Sequence, residues 1–313
     1  MDKIKVGVVG GGYWGSKHIY EYNQAKNVDL TWICDADKEL LNNLGKKFDV
    51  ENLTTDFDEI LSSDVEAVSI CTNNENHYKM SKEALLAEKH VLVEKPLTMD
   101  SKTSKELVEI AKEKELKLAV GHIFRFNNGL DKIKELIKKD FFGDIYSLRL
   151  QWTTVLYPKN PIDVLFDLCP HTFDIMNYIL DMWPENITCK AKGSRNKDLY
   201  DNAYLISDLK NGIMTHTEVS WILPGKVREL YVLGDKKSAH LECLSQQIKI
   251  FEDEKETDLE INSNNTILDE LTHFADSIIK DFEPKNNGEV GLKTIELIEK
   301  AVESNKKDKT IKI

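Results

Sequence analysis

The sequence predicts an α/β protein in two parts. The first part is a doubly wound parallel sheet, because apolar strands of the buried type alternate with helices over the first 122 residues. A glycine-rich turn between the first strand and the first helix supports this fold. From Phe124 onward, successive strand-like runs are separated by turns that suit hairpins. The second part is therefore an α+β domain with a large, mostly antiparallel open sheet, and we place the domains at 1–122 and 123–313.

The bulk composition is that of a soluble globular protein, with 41% hydrophobic and 31% charged residues. The formal net charge of −12 argues against nucleic acid and anionic membranes as partners, because both repel an acidic protein. Five cysteines without CxxC spacing argue against a disulfide framework or a zinc site. The N-terminal residues run straight into a strand, so no signal peptide is expected. No apolar run approaches the roughly 18 residues that cross a bilayer. We expect a cytoplasmic protein without a metal site.

The glycine-rich turn, Gly10 to Gly15, fits the pattern G-x-G-x-x-G between a strand at Ile4–Val9 and a helix that starts at Tyr13. Gly10 would make the tight turn, Gly12 would let the backbone approach a pyrophosphate, and Gly15 would let the helix pack on the strand. The free N–H groups of the first helical turn, near Tyr13 and Trp14, would bind the phosphates. The pattern predicts dinucleotide binding of the Rossmann type.

A carboxylate ends the second predicted strand, Leu30–Cys34. Asp35 lies 20 residues beyond Gly15. An acidic side chain there hydrogen-bonds the ribose hydroxyls of adenosine and repels a 2′-phosphate, so NAD is favoured over NADP. The alternative is that Asp35 only caps the helix predicted from Asp37 to Lys47.

Polar residues follow two more strands of the first domain. The run Val91–Val93 is typical of a short buried strand and leads into Glu94-Lys95-Pro96. Ligands bind at the C-terminal ends of strands in open α/β sheets, so Lys95 is a candidate active-site residue. The alternative is an exposed Glu–Lys pair where the strand meets solvent. A polar loop after the strand 67–71 adds three candidates for cofactor binding: Thr72, Asn73 and His77.

The second domain holds another chemical cluster. Asp167 and His171 are four residues apart, so they share one face if the region Val164–Leu180 is helical. Pro170 means that a helix either begins here or is kinked. Histidine is the usual general acid or base near neutral pH, and a carboxylate beside it can orient it. The alternative is a half-buried histidine satisfied by its neighbour, or a helix cap formed by Asp167.

The sheet of the second domain is expected to be covered on both faces. In Leu230–Leu233, the residues that point to either face are apolar. We therefore expect helices on one face and another subunit on the other, in a homodimer or homotetramer.

With these residues in place, the sequence resembles the glucose–fructose oxidoreductase / inositol dehydrogenase / rhizopine-catabolism (Gfo/Idh/MocA) family over essentially the whole chain. The resemblance is carried by the glycine-rich turn with Asp35, by the run His90–Leu97 with its Glu-Lys-Pro, and by Asp167-x-x-x-His171-x-x-Asp174. The Glu-Lys-Pro run is the specific one, whereas the dinucleotide fingerprint fits many families. The resemblance implies an N-terminal Rossmann domain, a C-terminal domain whose open sheet forms oligomers, and NAD(P)-dependent oxidation or reduction of sugars or polyols.

The resemblance also implies roles for particular residues. Lys95 and His171 are expected to face the substrate with Asp167 beside them, and the Lys95–Pro96 bond is expected to be cis. Glu94 is expected either to form an ion pair or to face the cofactor. The cofactor-binding set is Gly10, Gly12, Tyr13, Trp14, Gly15, Asp35, Thr72, Asn73, His77, Glu94 and Lys95.

Two further runs, 121–127 and 220–229, resemble family members that act on nucleotide-linked sugars, the UDP-sugar 3-dehydrogenases. They add His122, Arg125 and Asn127 as substrate-binding candidates. Lys226 and Arg228 are candidate cations for a diphosphate, although a solvated β-hairpin explains both equally well. One departure from the family lies at residues 163–166, where many members carry a glycine run.

The sequence therefore predicts hydride transfer between a sugar ring carbon and the nicotinamide of NAD, with a nucleotide-linked sugar as the first candidate. His171 would take the hydroxyl proton in the oxidative direction, Lys95 would stabilise the developing alkoxide, and Asp167 would orient the pair. One alternative is an enzyme that acts on a free sugar or a polyol such as inositol. The other is a non-catalytic NAD-binding regulator built on the same fold.

Overall fold

The computed structural model describes residues 3–157 and 162–313. The chain divides into two compact units. The first unit comprises the chain up to Ile123 together with Asn265–Ile295, and the second comprises Phe124–Asn264 and Glu296–Ile313. The assignment of residues 123–313 to substrate binding and oligomerisation remains a proposal.

The helices and strands are, in chain order, β1 (Ile4–Val9), α1 (Tyr13–Tyr22), β2 (Val28–Cys34), α2 (Lys38–Phe48), β3 (Asn52–Thr54), α3 (Phe57–Leu61), β4 (Ala67–Ile70), α4 (Asn74–Leu86), β5 (His90–Val93), α5 (Ser101–Glu113), β6 (Leu118–Val120), α6 (Asn128–Lys138), β7 (Ile145–Thr153), α7 (Val164–Leu180), β8 (Asn186–Lys192), β9 (Asn202–Asp208), β10 (Met214–Ser220), β11 (Val227–Gly234), β12 (Ser238–Glu242), β13 (Gln247–Glu252), β14 (Lys255–Leu259), α8 (Thr266–Ile279), α9 (Gly288–Lys307) and β15 (Ile311–Lys312).

The first unit is built on a six-stranded parallel sheet in the order β3-β2-β1-β4-β5-β6. This is the strand order of a dinucleotide-binding doubly wound sheet, and it confirms the predicted fold class. Because all strands are parallel, their C-terminal ends lie along one edge of the sheet. The glycine-rich turn, Asp35, the loop after β4 and Lys95 all follow such ends.

Apolar side chains cover both faces of this sheet. Leu92 belongs to a core cluster that also holds Ile19 of α1 and Phe274 of α8. Its neighbours Val91 and Val93 belong to a second cluster. Successive residues of a strand point to opposite faces, so the two clusters lie on the two sides of the sheet. Because both faces of the sheet are buried, the strand ends are held in fixed positions.

The helix α8 belongs to the first unit although it lies late in the sequence. The Asn27 side-chain amide donates to the carbonyl oxygen of Thr272 at 3.0 Å and to Oδ1 of Asp276 at 2.8 Å. Leu271, Phe274 and other apolar residues of α8 complete the core beside α1.

The second unit is built on a nine-stranded sheet in the order β14-β13-β12-β11-β7-β10-β9-β8-β15. Only β7 and β10 pair in parallel; the other neighbours are antiparallel. The predicted mostly antiparallel sheet is therefore confirmed. On the central strand β7, Leu148, Leu150 and Trp152 are buried, whereas Arg149 between them is exposed.

Several local features differ from the sequence-based expectations. The short strands β3 and β14 were not predicted, because they contain few apolar residues. The helix α7 runs through Pro170 without a break and is capped by Asp163, so Asp167 is not its cap. The pKa of Asp163 is raised by burial.

Candidate active site

The glycine-rich turn of the first unit has the geometry that a pyrophosphate requires. Gly10 has a φ of +90°, and a Cβ there would lie 2.7 Å from the carbonyl oxygen of Cys71. A Cβ on Gly15 would lie 1.6 Å from the carbonyl oxygen of Gly10, so both positions require glycine. Among the described residues, nothing lies within 4 Å of a Cβ built on Gly12, and no side chain caps the N-terminus of α1 there. The space and the uncapped helix end fit a dinucleotide phosphate.

Asp35 organises this turn. Its Oδ2 accepts from the Gly11 amide at 2.6 Å, and its Oδ1 accepts from the Asp37 amide at 2.9 Å. The helix α2 is capped by Asp37, whose Oδ1 accepts from the amides of Glu39 and Leu40. Asp35 is therefore not the cap of α2, and it lies at the strand end where a ribose-binding acid is expected.

The loop after β4 is tied to the turn that bears Lys95. The buried His77 ring has Nδ1 2.7 Å from the carbonyl oxygen of Pro96 and Nε2 3.2 Å from that of Thr72. Burial lowers the pKa of His77. The two carbonyl oxygens act in the opposite direction, because they favour the charged ring, but burial has the larger effect. The ring thus holds two strand-end segments together. Asn73 is exposed at the start of α4. Cofactor contacts by Thr72, Asn73 and His77 stay predictions.

Glu94 points into the first unit. One carboxylate oxygen, Oε1, lies 3.2 Å from Nε2 of His18, and the other accepts from the Lys95 amide at 3.2 Å. A Cβ on Gly121 would come within 2.9 Å of the same Oε2, so glycine at 121 makes room for this carboxylate. Glu94 therefore pairs with His18, and a cofactor contact by Glu94 stays a prediction.

Lys95 follows β5 and is half-buried, and the Lys95–Pro96 peptide bond is cis, as the family resemblance implied. His122 follows β6 at the same edge of the sheet and is buried. Both residues belong to the first unit.

In the second unit, Asp167 and His171 lie one turn apart on α7, as predicted. Oδ2 of Asp167 accepts from Nε1 of the buried Trp221 at 3.1 Å. The His171 ring, 8% exposed, packs edge-on against Phe124 with centroids 5.2 Å apart. These contacts tie both side chains to other parts of the second unit. Trp221 was not among the predicted site residues, because a tryptophan 54 residues from Asp167 gives no local signal.

Two predicted substrate-binding residues are engaged within the second unit. Arg125 is buried and bonds Oδ1 of Asp174 through Nε at 2.5 Å and Oδ1 of Asn177 at 2.6 Å. Asn127 is fully buried, where it caps α6 through the Leu130 amide and donates to the carbonyl oxygen of Cys243. Their geometry supports a structural role, and a substrate contact stays a prediction.

The two candidate diphosphate cations differ. Arg228 is buried and donates to the carbonyl oxygens of Thr153 at 2.8 Å and Val227 at 2.7 Å. Burial lowers its pKa, with Asp167 opposing that effect. Lys226 is exposed. Lys226 thus remains the better candidate.

Residues 3–157 and 162–313 contain no group of three or more His, Cys, Asp or Glu side chains placed to hold a metal ion. None of their helices is long and apolar enough to cross a membrane. All five cysteines are free thiols.

The strand order, the glycine-rich turn and Asp35 together define a dinucleotide-binding protein of the dehydrogenase class. Comparison with the models of known protein families supports this class. Residues 4–122 match the model of the Gfo/Idh/MocA oxidoreductase family with an NAD-binding Rossmann fold, and residues 130–240 match the Gfo/Idh/MocA C-terminal domain. The chain belongs to the Gfo/Idh/MocA family, and it is an NAD-binding oxidoreductase.

Similar proteins include sugar and polyol dehydrogenases. The UDP-N-acetylglucosamine 3-dehydrogenase of Acidithiobacillus ferrooxidans is 26% identical over 80% of this chain and 78% of its own. Its crystal structure has a TM-score of 0.87 at 22% identity and covers 97% of this chain and 98% of its own. The myo-inositol 2-dehydrogenase of Thermotoga maritima is 24% identical over 67% of this chain and 66% of its own. An oxidoreductase from Agrobacterium radiobacter in complex with NAD+ has a TM-score of 0.90 at 19% identity, covering 99% and 98%.

Proposed function

We propose that the protein oxidises or reduces one ring position of a sugar with NAD, and that its first candidate substrate is a nucleotide-linked sugar. The observation that carries the proposal is Lys95, held on a buried strand end at the same sheet edge as the NAD-binding turn. Ligands of such sheets bind at this edge. NAD supplies a nicotinamide ring that accepts or donates the hydride.

The residues that would hold NAD are those of the glycine-rich turn and Asp35. The amides of the first turn of α1, at Tyr13 and Trp14, would bind the pyrophosphate. Asp35 would accept from a ribose hydroxyl while Gly11 keeps it in place.

The proposed proton chemistry uses a histidine and a lysine. His171 takes the proton of the substrate hydroxyl in the oxidative direction, because a neutral imidazole is an effective base near neutral pH. Lys95 donates a hydrogen bond to the same oxygen and stabilises the negative charge that develops there. Asp167, anchored by Trp221, orients the reacting groups.

The choice of a nucleotide-linked sugar is supported by the relative from A. ferrooxidans, whose name records that substrate class. Exposed Lys226 is available to a diphosphate. Arg228, the second cation expected to bind a diphosphate, is buried and less accessible to one. A free polyol is therefore the second candidate, and the relative named as a myo-inositol 2-dehydrogenase favours it.

The direct test is to incubate the purified protein with NAD and a panel of UDP-sugars, inositols and free hexoses. We expect NADH absorbance to appear with a UDP-sugar or, for the second candidate, with a polyol. No absorbance change with any sugar, under conditions where NADH binding is detected by fluorescence, would contradict the enzymatic proposal and favour a regulator.

Replacing Lys95 by alanine tests the catalytic assignment. We expect Lys95→Ala to abolish turnover while the NADH dissociation constant changes little. Lys79→Ala is the matched control, because Lys79 is an exposed lysine of the same unit that pairs only weakly with Glu83, at 3.8 Å. Loss of NADH binding in Lys95→Ala would count against the assignment.

A cytoplasmic location and a homo-oligomer remain proposals as well. Three side chains lie in a row across one face of the second sheet. Arg149 lies over the Tyr231 ring, and Tyr231 stacks on His240 with ring centroids 4.4 Å apart. Exposed Tyr204, Ile206 and Met214 lie on the same face, as the strand register requires. Exposed aromatic and apolar side chains gathered on one sheet face suit a second copy of the chain. Sedimentation as a monomer at micromolar concentration would contradict this proposal.

A further inference from the structure

An exposed tyrosine ring rests on an arginine in the second unit. Tyr157 is 73% exposed, and the guanidinium of Arg195 lies over its ring, 4.4 Å from the ring centroid. A ring with one face on a guanidinium can be this exposed only when its opposite face is open to solvent. That open face is available to another planar ring, because aromatic rings stack on one another and on nucleobases.

The arginine below the ring is held by several parts of the second unit. Nε of Arg195 lies 3.5 Å from Oδ2 of the buried Asp201, which also accepts from the Arg195 amide at 2.8 Å. Nη2 of Arg195 donates to the carbonyl oxygens of Leu156 at 2.7 Å and Trp221 at 3.1 Å. The Tyr157 ring therefore lies on a side chain that is bonded to three separate segments of the chain.

Trp221 connects this arginine to the proposed catalytic carboxylate. The carbonyl oxygen of Trp221 accepts from Arg195 and from the Leu156 amide, whereas its indole Nε1 donates to Oδ2 of Asp167. Two contacts through one buried tryptophan thus separate Arg195 from Asp167. A substrate whose sugar lies at Asp167 can extend along the second unit toward the Tyr157 ring.

An exposed cation lies at the same end of the second sheet. Lys226 directly precedes β11, whose first residue, Val227, lies opposite Thr153 at the end of β7. Tyr157 follows Thr153 by four residues, so both side chains come from loops at the same end of two paired strands. Lys226 is exposed in a chain whose formal net charge is −12. An ammonium binds phosphate oxygens and an aromatic ring stacks on a base, so the two groups match the two parts of a nucleotide.

We propose that Tyr157, supported by Arg195, stacks on the base of a nucleotide-linked sugar and that Lys226 binds its diphosphate. The inference rests on the proposed function and assigns the nucleotide part of the substrate to the loops that follow β7 and β10. Stacking on Tyr157 recognises a nucleobase without distinguishing one base from another, because every base has a π face. A free sugar or polyol has no base and gains nothing from this stack.

UDP binding by the NADH-saturated protein tests the proposal, because bound NADH keeps UDP out of the cofactor site. In isothermal titration calorimetry, we expect Tyr157→Ala to lower UDP affinity about tenfold or more, the loss expected for one base–aromatic stack. Tyr157→Phe keeps the ring and should bind UDP within about twofold of wild type. Tyr146→Ala is the matched control, because Tyr146 is 59% exposed near the other end of β7, and its UDP affinity should equal that of wild type.

Replacing Lys226 by alanine tests the diphosphate contact separately. We expect Lys226→Ala to lower UDP affinity about fivefold at low salt and to differ little from wild type at about 1 M salt, where the charge is screened. An unchanged UDP affinity at low salt would overturn the assignment of Lys226.

Three results would overturn the stacking assignment. They are an unchanged UDP affinity in Tyr157→Ala, an equal loss of affinity in Tyr157→Phe, and a loss of NADH affinity in Tyr157→Ala, which would place the ring against the cofactor. Wild type that binds no UDP at millimolar concentration would overturn it as well, and oxidation of a free polyol would then leave the oxidoreductase proposal intact. If wild type binds UDP as expected and oxidises no sugar, the proposed function fails while the UDP affinities of the variants still decide the role of Tyr157.

Discussion

Removing the carboxylate charge of Asp174 should destabilise the second unit strongly. Arg125 and Asp174 form an ion pair in which the side chains are only 8% and 1% exposed. In Asp174→Asn the buried Arg125 guanidinium loses the carboxylate that lies 2.5 Å from its Nε. Breaking one side of a buried pair costs about 3–5 kcal/mol. For a unit of roughly 150–250 residues, each kcal/mol shifts Tm by about 2–4 °C, so we expect a decrease of about 10 °C.

Differential scanning calorimetry checks this magnitude. The double variant Arg125→Met/Asp174→Leu should recover most of the lost stability, because it leaves no uncompensated buried charge. Lys132→Ala is the surface control, since the Lys132–Glu135 pair is 29% and 42% exposed and should change stability by less than about 1 kcal/mol.

The result that would refute the reasoning is a Tm of Asp174→Asn close to that of wild type. If, in addition, Arg125→Met raised KM for the sugar at unchanged Tm, Arg125 would be a substrate-binding residue, as its sequence context suggested. The comparison therefore separates a stabilising role from a binding role.

Three further predictions concern the first unit. Asp35→Asn leaves one oxygen for the amides of Gly11 and Asp37 and removes the charge expected at the ribose. We expect NAD affinity to fall about tenfold or more and the preference for NAD over NADP to shrink. Titration of the protein with each cofactor measures both effects. Gly15→Ala places a Cβ 1.6 Å from the Gly10 carbonyl oxygen and should abolish NADH binding or folding, judged by fluorescence and circular dichroism, and full binding would contradict the assigned turn geometry. The raised pKa of His18 adds stability that is fully present below about pH 6.5 and is lost as pH rises through its folded-state pKa. Urea unfolding of His18→Gln and wild type should therefore differ more at pH 6 than at pH 9, and a difference independent of pH would argue against a charged His18.

The site residues divide according to how far along the chain their partners lie. The glycine-rich turn and Asp35 could be predicted, because their geometry depends on neighbouring residues and on the alternation of strands and helices. Gly10 needs a positive φ within one tight turn, and Asp35 binds the nearby Gly11 and Asp37 amides, after a strand whose end is recognisable locally. The spacing of Asp167 and His171 on one helix is equally local.

The contacts of the other candidate residues depend on partners that lie far away in the sequence. Glu94 was ambiguous in the sequence because its partner His18 is 76 residues away, and Arg125 resembled a substrate ligand because Asp174 is 49 residues away. Which polar side chains are paired in the interior depends on which helix faces meet which strand ends. That information lies in the packing of whole elements, and the sequence encodes it only through the fold. The sequence by itself determined the fold class and the cofactor, and the tertiary structure decided that the Glu94 carboxylate turns inward to His18.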